Sequence, residues 1–261
     1  MKISIVTPSY NQAGFIGKCI DSVRNQFGDF TVEHIIMDNC SSDGTAALLA
    51  EYSSNPGAVD VKIVIEPDEG QTSAINKGFG MAIGDVVCWL NTDEYYADGA
   101  LSKVAEFMTN NLEVDVLFGD CDFVDQTSRL VKSKREHFFS KSMLLHYGFI
   151  PSCATFVRRR VIDRGVLLRL EFKVIMDGDW YIRMAKAGYR FAHIPCTLAS
   201  FTWHENNISV RMAARRKRER RLLQDSYSNI RGPRWAKTII YGLIFYFWLA
   251  VRVLRRLLAI L

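Results

Sequence analysis

The 261-residue sequence has six cysteines but no Cys-x-x-Cys pair and no zinc-like spacing. Cys19, Cys40, Cys88, Cys121, Cys153 and Cys196 are scattered, and they read as buried thiols in a reducing compartment. A secretory signal is missing too. Lys2 is followed by ISIVTPSY, too short an apolar run before polar residues, so the body of the chain is expected in the cytosol. A dinucleotide-binding glycine loop is also absent. Gly78, Gly80 and Gly84 come close, but their spacing is off by one and they precede a strand where that loop must follow one. Helix packing and a C-terminal stop explain them better.

The 49% apolar and 23% charged content fits a globular protein of one large domain or two small ones. The net charge of +5 is unevenly placed. Residues 211–221 carry seven Arg or Lys against one Glu, and Arg231, Arg234, Arg252, Arg255 and Arg256 follow. Without them the body is close to neutral or acidic. The basicity therefore belongs to an appendage that needs a partner or a surface. Aromatic and aliphatic residues beside these charges point away from nucleic acid.

The first hundred residues alternate strand and helix. KISIVTP, VEHIIMDN, VDVKIVIEP and DVVCWLN read as strands. FIGKCIDSVRNQ, SDGTAALLAEYS and TSAINKGFGMA read as helices between them. Such alternation predicts βαβ units and a mostly parallel sheet flanked by helices. Ligands bind such sheets beyond the carboxyl ends of the strands. The polar clusters Thr7–Asn11, Asp38–Asp43, Glu66–Gly70 and Asn91–Glu94 all fall there. Farther on, VDVLFGD predicts a strand and DWYIRMAKAGY a helix, and after His204 the composition shifts.

Of these clusters, Asn91-Thr92-Asp93-Glu94 directly follows VVCWL. An Asp there is either a hard oxygen ligand for Mg²⁺ or Mn²⁺ or part of a polar turn. Asp38 can accept from a base or ribose, and Gly44 after it allows a tight turn. Glu66 to Gly70 is an acidic loop or a solvated turn. Asp177 begins a helix, where an acid can cap the first turn.

Five segments, VTPSYNQAGFIGKCIDSVRNQ, MDNCSSDGT, EPDEGQTSAINKGF, WLNTDEYY and MDGDWYIRMAKAGY, resemble in that order the family 2 glycosyltransferases of GT-A fold, over residues 1–208. The resemblance implies an inverting transfer from a nucleoside-diphosphate sugar, assisted by Mg²⁺ or Mn²⁺. It places Thr7, Pro8, Tyr10, Asn11, Asp38, Asp68, Lys77, Asn91 and Thr92 around the nucleotide sugar. Asp93 falls on the second acid of the family's Asp-x-Asp element and would hold the metal, while Asn91 departs from the first. Asp177 matches the base, and Asp179 would orient its neighbours. The chemistry needs such a carboxylate on the face opposite the departing nucleotide. FTWHENNIS resembles the family's Arg-x-His-x-x-Ser-like segment. It offers His204 to the metal or diphosphate, with Thr202 in place of the Arg. Arg158 and Arg159 fall in the acceptor-side stretch, where they meet an anionic acceptor or water.

Residues 209–261 form the appendage. Thr238 to Val251 carries no charge and, as a helix, is about 21 Å long, short of the roughly 30 Å hydrocarbon core. Arg and Lys flank it, and Trp235, Tyr241, Tyr246 and Trp248 suit the headgroup region. One or two interfacial or re-entrant helices on an anionic cytoplasmic leaflet are expected, peripheral or monotopic. A core or homo-oligomer helix is the alternative. A membrane-adsorbed transferase suits a lipid-linked or polysaccharide acceptor in bacterial surface-polysaccharide synthesis. Two rival functions are weighed. A nucleotidyltransferase needs a basic, glycine-rich loop after the first strand, and TPSYNQAG has no basic residue. A non-catalytic membrane scaffold would fit Asn91 but not the retained Asp93 and Asp177.

Overall fold

A computed structural model describes residues 1–135 and 139–258, with side chains to residue 254 in the last helix. The first half runs β1 (Lys2–Ser9), α1 (Ile16–Arg24), β2 (Thr31–Asp38), α2 (Thr45–Ser54), β3 (Val59–Ile65), α3 (Gln71–Met81), β4 (Val86–Trp89), β5 (Glu94–Tyr96) and α4 (Ala100–Asn110). Then come β6 (Val116–Val124), β7 (Leu130–Lys134), α5 (Lys141–Tyr147), β8 (Thr155–Arg158), α6 (Arg159–Asp163), α7 (Met176–Lys186) and β9 (Phe191–Thr202). The chain finishes with α8 (Ile208–Arg211), α9 (Ala213–Tyr227) and α10 (Arg234–Leu258).

One sheet holds all the strands, in the order β3-β2-β1-β4-β8-β6-β9-β5, with β7 on β6. The β3-β2-β1-β4 half is parallel, as the strand–helix alternation predicts. Beyond β4 the sheet is mixed. β8 is antiparallel to both β4 and β6, β9 is parallel to β6, and β5 closes antiparallel on β9. Alternate residues of β1 serve opposite faces. Ile3 and Ile5 pack with Cys19, Val23, Leu101 and Val104 of α1 and α4. Val6 packs with Ile75, Phe79 and Trp180 of α3 and α7. Helices on both faces are what a buried parallel sheet requires.

The glycines near the end of α3 resolve by position. A Cβ on Gly78 would strike Val6, so this glycine lets α3 lie close on β1, whereas one on Gly80 would meet open space. The helix stops at an extended Ala82.

The last two helices are docked on the body. Glu219 of α9 is buried and accepts the backbone N–H groups of Lys173, Val174 and Ile175 at 3.0, 2.9 and 3.2 Å. Tyr227 at the other end of α9 donates to Asp179 of α7 at 2.8 Å. α10 is one continuous helix and lies against α5. Phe245 stacks on Tyr147 with ring centroids 5.3 Å apart, and Arg252 donates to the Tyr147 hydroxyl at 2.8 Å. The opposite face of α10 is apolar and open, with Trp235, Leu243, Tyr246 and Phe247 between 60% and 69% exposed. By length and composition α10 is long and apolar enough to cross a membrane. The charge-free stretch read from the sequence is thus the middle of a longer helix.

Candidate active site

The carboxyl ends of β1, β2 and β4 open into a cleft of about 450 Å³. Pro8, Tyr10, Asp68, Asn91, Thr92, Asp93, Asp177 and His204 all line it. Four other residues singled out in the sequence do not. Thr7 is fully buried below the cleft, and its hydroxyl is hydrogen-bonded to His34 Nε2 at 2.9 Å. The other ring nitrogen of His34 meets the Tyr52 hydroxyl at 3.1 Å, and burial pulls the imidazole down to about 3, so it stays neutral. Lys77 is paired with Glu66 at 2.7 Å on α3. Asn11 and Asp38 act within the loops that follow β1 and β2.

Those two loops are stapled together. Asp38 accepts from the Ser41 N–H at 2.8 Å and from the Ser41 hydroxyl at 2.6 Å, so both carboxylate oxygens are engaged in their own turn. Asn11 sits at φ 52°, a left-handed conformation that Asn tolerates better than most residues. Its amide oxygen accepts from the Ser42 N–H at 2.8 Å, and its own N–H donates to Ser41 Oγ at 2.8 Å. Asp43 accepts from the Ala13 N–H at 3.0 Å. Asn39, the neighbour of Asp38, is the residue that reaches the cleft; its side-chain oxygen accepts from the Asp68 N–H at 3.0 Å.

The acidic centre follows β4. The side-chain oxygen of Asn91 accepts from Gln71, and its backbone N–H donates to Glu94 at 2.8 Å. Thr92 donates to Gln12 at 3.2 Å. Asp93 Oδ2 accepts from the Asn207 amide at 2.8 Å and lies 3.2 Å from His204 Nε2. Phe15 stacks on the His204 ring at 4.5 Å, and His204 Nδ1 is buried without a partner among the described residues. Burial pushes the Asp93 carboxyl up, against the pull of His204. It pushes Glu94 up strongly, and the adjacent Asp93 charge adds to that.

Among the described residues no group of three or more His, Cys, Asp or Glu side chains comes together. A magnesium-type site in a nucleotide pocket does not need one, because substrate phosphates and water complete the shell around one or two carboxylates. Asp93 with His204 beside it fits that minimal pattern.

Elsewhere in the lining, Asp177 is in the first turn of α7, whose cap is Ile175. Asp177 is therefore not the cap. Among the described residues its Oδ1 accepts from the N–H of Gly178, at 2.7 Å. Burial pushes this carboxyl up, opposed by that N–H and by the Lys134 and Arg220 charges. Asp179 points the other way, buried between Arg183 Nε and the Tyr227 hydroxyl at 2.8 Å each.

The cleft also gathers residues that no motif singled out: Gln12, Asn39, Gln71, Lys173, Asn207 and Arg211. Lys173 and Arg211 are the cations lining it among the described residues. Lys173 reaches across to the Glu69 carbonyl at 2.9 Å. Asn207 belongs to the HENN segment already noted around His204, so an amide three residues after the histidine was a usable signal. Arg211 opens the basic run read as an appendage, and its charge there was indistinguishable from its neighbours'.

Residues 4–167 match the family model described as Glycosyl transferase family 2. The putative teichuronic acid biosynthesis glycosyltransferase TuaG of Bacillus subtilis is 35% identical over 106 residues, which is 41% of this chain and 41% of that one. The PGL/p-HBAD biosynthesis glycosyltransferase of Mycobacterium tuberculosis is 29% identical over 185 residues, 69% of this chain and 68% of that one. The chain therefore spans less than half of the first relative's length and about two thirds of the second's. Among solved structures, S. aureus TarS 1–349 in complex with UDP superposes with a TM-score of 0.67 at 18% identity, covering 95% of this chain and 71% of that one. The mannosyltransferase PcManGT from Pyrobaculum calidifontis, in complex with GDP-Man and Mn²⁺, gives 0.65 at 16% identity, covering 93% and 69%. The family match takes in well over half of the residues, and the fold likeness extends almost to the end of the chain. The chain belongs to glycosyl transferase family 2 and has the GT-A-like fold.

Proposed function

We propose that the protein transfers a sugar, with inversion, from a nucleoside-diphosphate sugar to a hydroxyl of a lipid-linked or polysaccharide acceptor at the cytoplasmic face of the cell membrane. One observation carries the reading: Asp93 and Asp177, far apart in the chain and on different elements, line a single cleft. The donor occupies the β1–β4 side, against Pro8, Tyr10, Asn39, Asp68 and Asn91. A bound Mg²⁺ or Mn²⁺, held by Asp93 with His204, would neutralise the departing diphosphate. Lys173 and Arg211 add fixed positive charge there. Asp177 takes the proton of the attacking hydroxyl. Burial raises its proton affinity toward the working pH, which suits a general base. The nucleotide-bound forms of TarS and PcManGT, the second also with Mn²⁺, support a nucleotide-sugar donor and a divalent ion. The names of the TuaG and PGL/p-HBAD relatives support a role in cell-surface glycan synthesis.

The membrane reading rests on α10. One face is fastened to α5 and the other is apolar and open, so the helix suits lying in the plane of the bilayer with the body attached. A homo-oligomer through the same face is the competing use.

Incubation with a panel of nucleotide sugars and Mg²⁺ or Mn²⁺, following nucleoside diphosphate release, tests the proposal. Asp177→Asn is expected to cut release by at least ~100-fold while a nucleotide titration stays unchanged. A chain that neither binds nor releases any nucleotide is a scaffold, and the proposal fails.

A further inference from the structure

Two consecutive residues of α9 reach the start of α7. Glu219 takes the backbone N–H groups of residues 173–175. Its neighbour Arg220 lines a narrow cavity of about 120 Å³ between α5, α7 and α9, and Asp177 lines the same cavity. The remaining walls are largely apolar, with Leu144, Ile150, Val174 and Leu223 among them. Asp177 and Arg220 are its charged residues among the described ones.

These two charges are not consumed elsewhere. Among the described residues Asp177 makes no ion pair, and its Oδ1 accepts from the Gly178 N–H. Arg220 is half-buried and makes none either; its guanidinium donates to the Tyr147 carbonyl at a long 3.4 Å. On the same helix Arg215 and Arg221 are paired with Glu219 and Asp225. Arg220 differs from them because it stands one turn before the buried Leu223, on the side of α9 that faces the body.

The other groups around Asp177 leave it in need of a cation. Burial pushes its carboxyl up, and the Gly178 N–H, Lys134 of β7 and Arg220 act against that. Tyr181, one turn farther along α7, also lines the cavity. Burial and the Asp177 charge raise its hydroxyl well above the ordinary range, so it stays neutral and balances nothing. The cleft lining adds Asp68, Asp93, Glu94 and His204, and the cations Lys173 and Arg211. Burial and the Arg216 charge loosen the Arg220 proton, and the Asp177 carboxylate tightens it again. A guanidinium remains charged under these conditions.

We propose that Arg220 is a positioning residue for the base, its guanidinium keeping the Asp177 carboxylate anionic from the narrow cavity that both residues line. That role rests on the reading of Asp177 as the base. A buried carboxylate left to itself would hold its proton and could accept no other. A direct ion pair would cure this but would cover the oxygen that the acceptor hydroxyl must meet. A cation held at a distance, behind apolar walls that screen it little, restores the charge and leaves the oxygen free.

The full chain with ¹³C-labelled aspartate tests this, the Asp177 carboxyl resonance being the one lost in Asp177→Asn. Arg220→Gln is expected to move its titration midpoint upward by about one pH unit, the size of one partly screened charge interaction. Arg220→Lys, which keeps the charge, is expected to restore the midpoint to within about 0.3 unit. The acid limb of nucleoside diphosphate release should move by the same amount, while a nucleotide titration stays unchanged. Arg220→Met, apolar and of similar reach, must give the same displacement and serves if the Gln variant does not fold. A midpoint unmoved in the uncharged variants overturns the proposal, and so does a Lys variant displaced as far as Gln, since shape rather than charge would then matter. Both results leave the base reading standing, provided Asp177→Asn abolishes release. Release that survives Asp177→Asn sinks the base reading and the role of Arg220 with it, whatever the resonance does.

Discussion

The two walls of the cleft are held in place by different means. The donor wall, from Pro8 to Glu94, stands on parallel strands, and its loops are fastened by bonds such as Asn11 to Ser42 and Asp38 to Ser41. The other wall, from Lys173 to Asp177, has no strand beneath its key residue. Its backbone is secured by a single carboxylate, Glu219, arriving from a helix that the sequence marks only as a basic run. On the proposed reading, donor binding is built into the sheet, whereas the base, Asp177, depends on a helix more than forty residues farther along. The difference teaches that α9, through Glu219, is part of what supports the wall carrying Asp177.

The sharpest way to break this comparison is to remove Glu219. Burial alone would raise its pKa. The N–H groups of Lys173, Val174 and Ile175 and the Arg215 guanidinium outweigh that and hold it below the ordinary value of 4.5. Glu219→Ala leaves three part-buried donors without their acceptor, and the expected loss is about 2 kcal/mol of stability, read as a lower midpoint in urea unfolding. Turnover should fall with it, because the strut beneath Asp177 is gone, while nucleotide affinity on the other wall stays close to wild type. Equal losses on both walls would erase the distinction. The pH dependence has a fixed sign. A carboxylate whose folded pKa is depressed stabilises the protein above its unfolded pKa, and that contribution disappears as pH falls from about 4.5 through the lower folded value. In the alanine variant that acid-dependent component is expected to be missing.

How legible these walls were follows from the same contrast. The β1–β4 half was readable because each strand and helix carries its own period, and parallel βαβ units join neighbours in sequence. In the β5–β9 half VDVLFGD and DWYIRMAKAGY were readable as β6 and α7, but the order of the strands was not. β9 pairs with β6 and with β5, so its place depends on partners far away in the chain, and β8 runs antiparallel between strands on either side. In the cleft, Asp93, Asp177 and His204 stood out because acids at strand ends and the family order point to them. Thr7 and Asp38 sit in matching positions, yet both are turned to neighbours inside the protein, which no motif reveals. Arg211, Lys173 and Glu219 acquire their surroundings only through contacts across the fold, so their residue types alone carried no signal.

A milder perturbation separates α10 from α9. Ending the chain after residue 232 removes α10 but keeps Glu219 and Tyr227, so both walls should survive. Hydrolytic release of nucleoside diphosphate in solution is expected to stay within about twofold, because no described residue of α10 lines the cleft. Binding to anionic vesicles should fall by about tenfold or more, through loss of the open apolar face. Flotation and a release assay on the same sample read both effects. Unchanged flotation would assign membrane attachment to the Arg-rich α9 alone and return α10 to an oligomer contact.

The smallest expected effect lies on the donor wall, at Asn91. Its side-chain oxygen accepts from Gln71, a bond that an aspartate in its place would keep. What changes is charge. A second carboxylate would stand beside Asp93 and near Glu94, both already pushed toward their protonated forms by burial. Without a cation, Asn91→Asp therefore raises the repulsion in this loop and should lower the melting midpoint slightly. With one, the same charge is favourable, and the half-saturating Mn²⁺ concentration for donor binding should fall about three- to tenfold, the size of a kilocalorie-scale interaction in a partly screened pocket. Mn²⁺-dependent nucleotide titration and thermal melting with and without metal measure the two signs independently. A variant with unaltered Mn²⁺ dependence would place the ion away from this loop, and the cleft would then have to bind the diphosphate through Lys173 and Arg211.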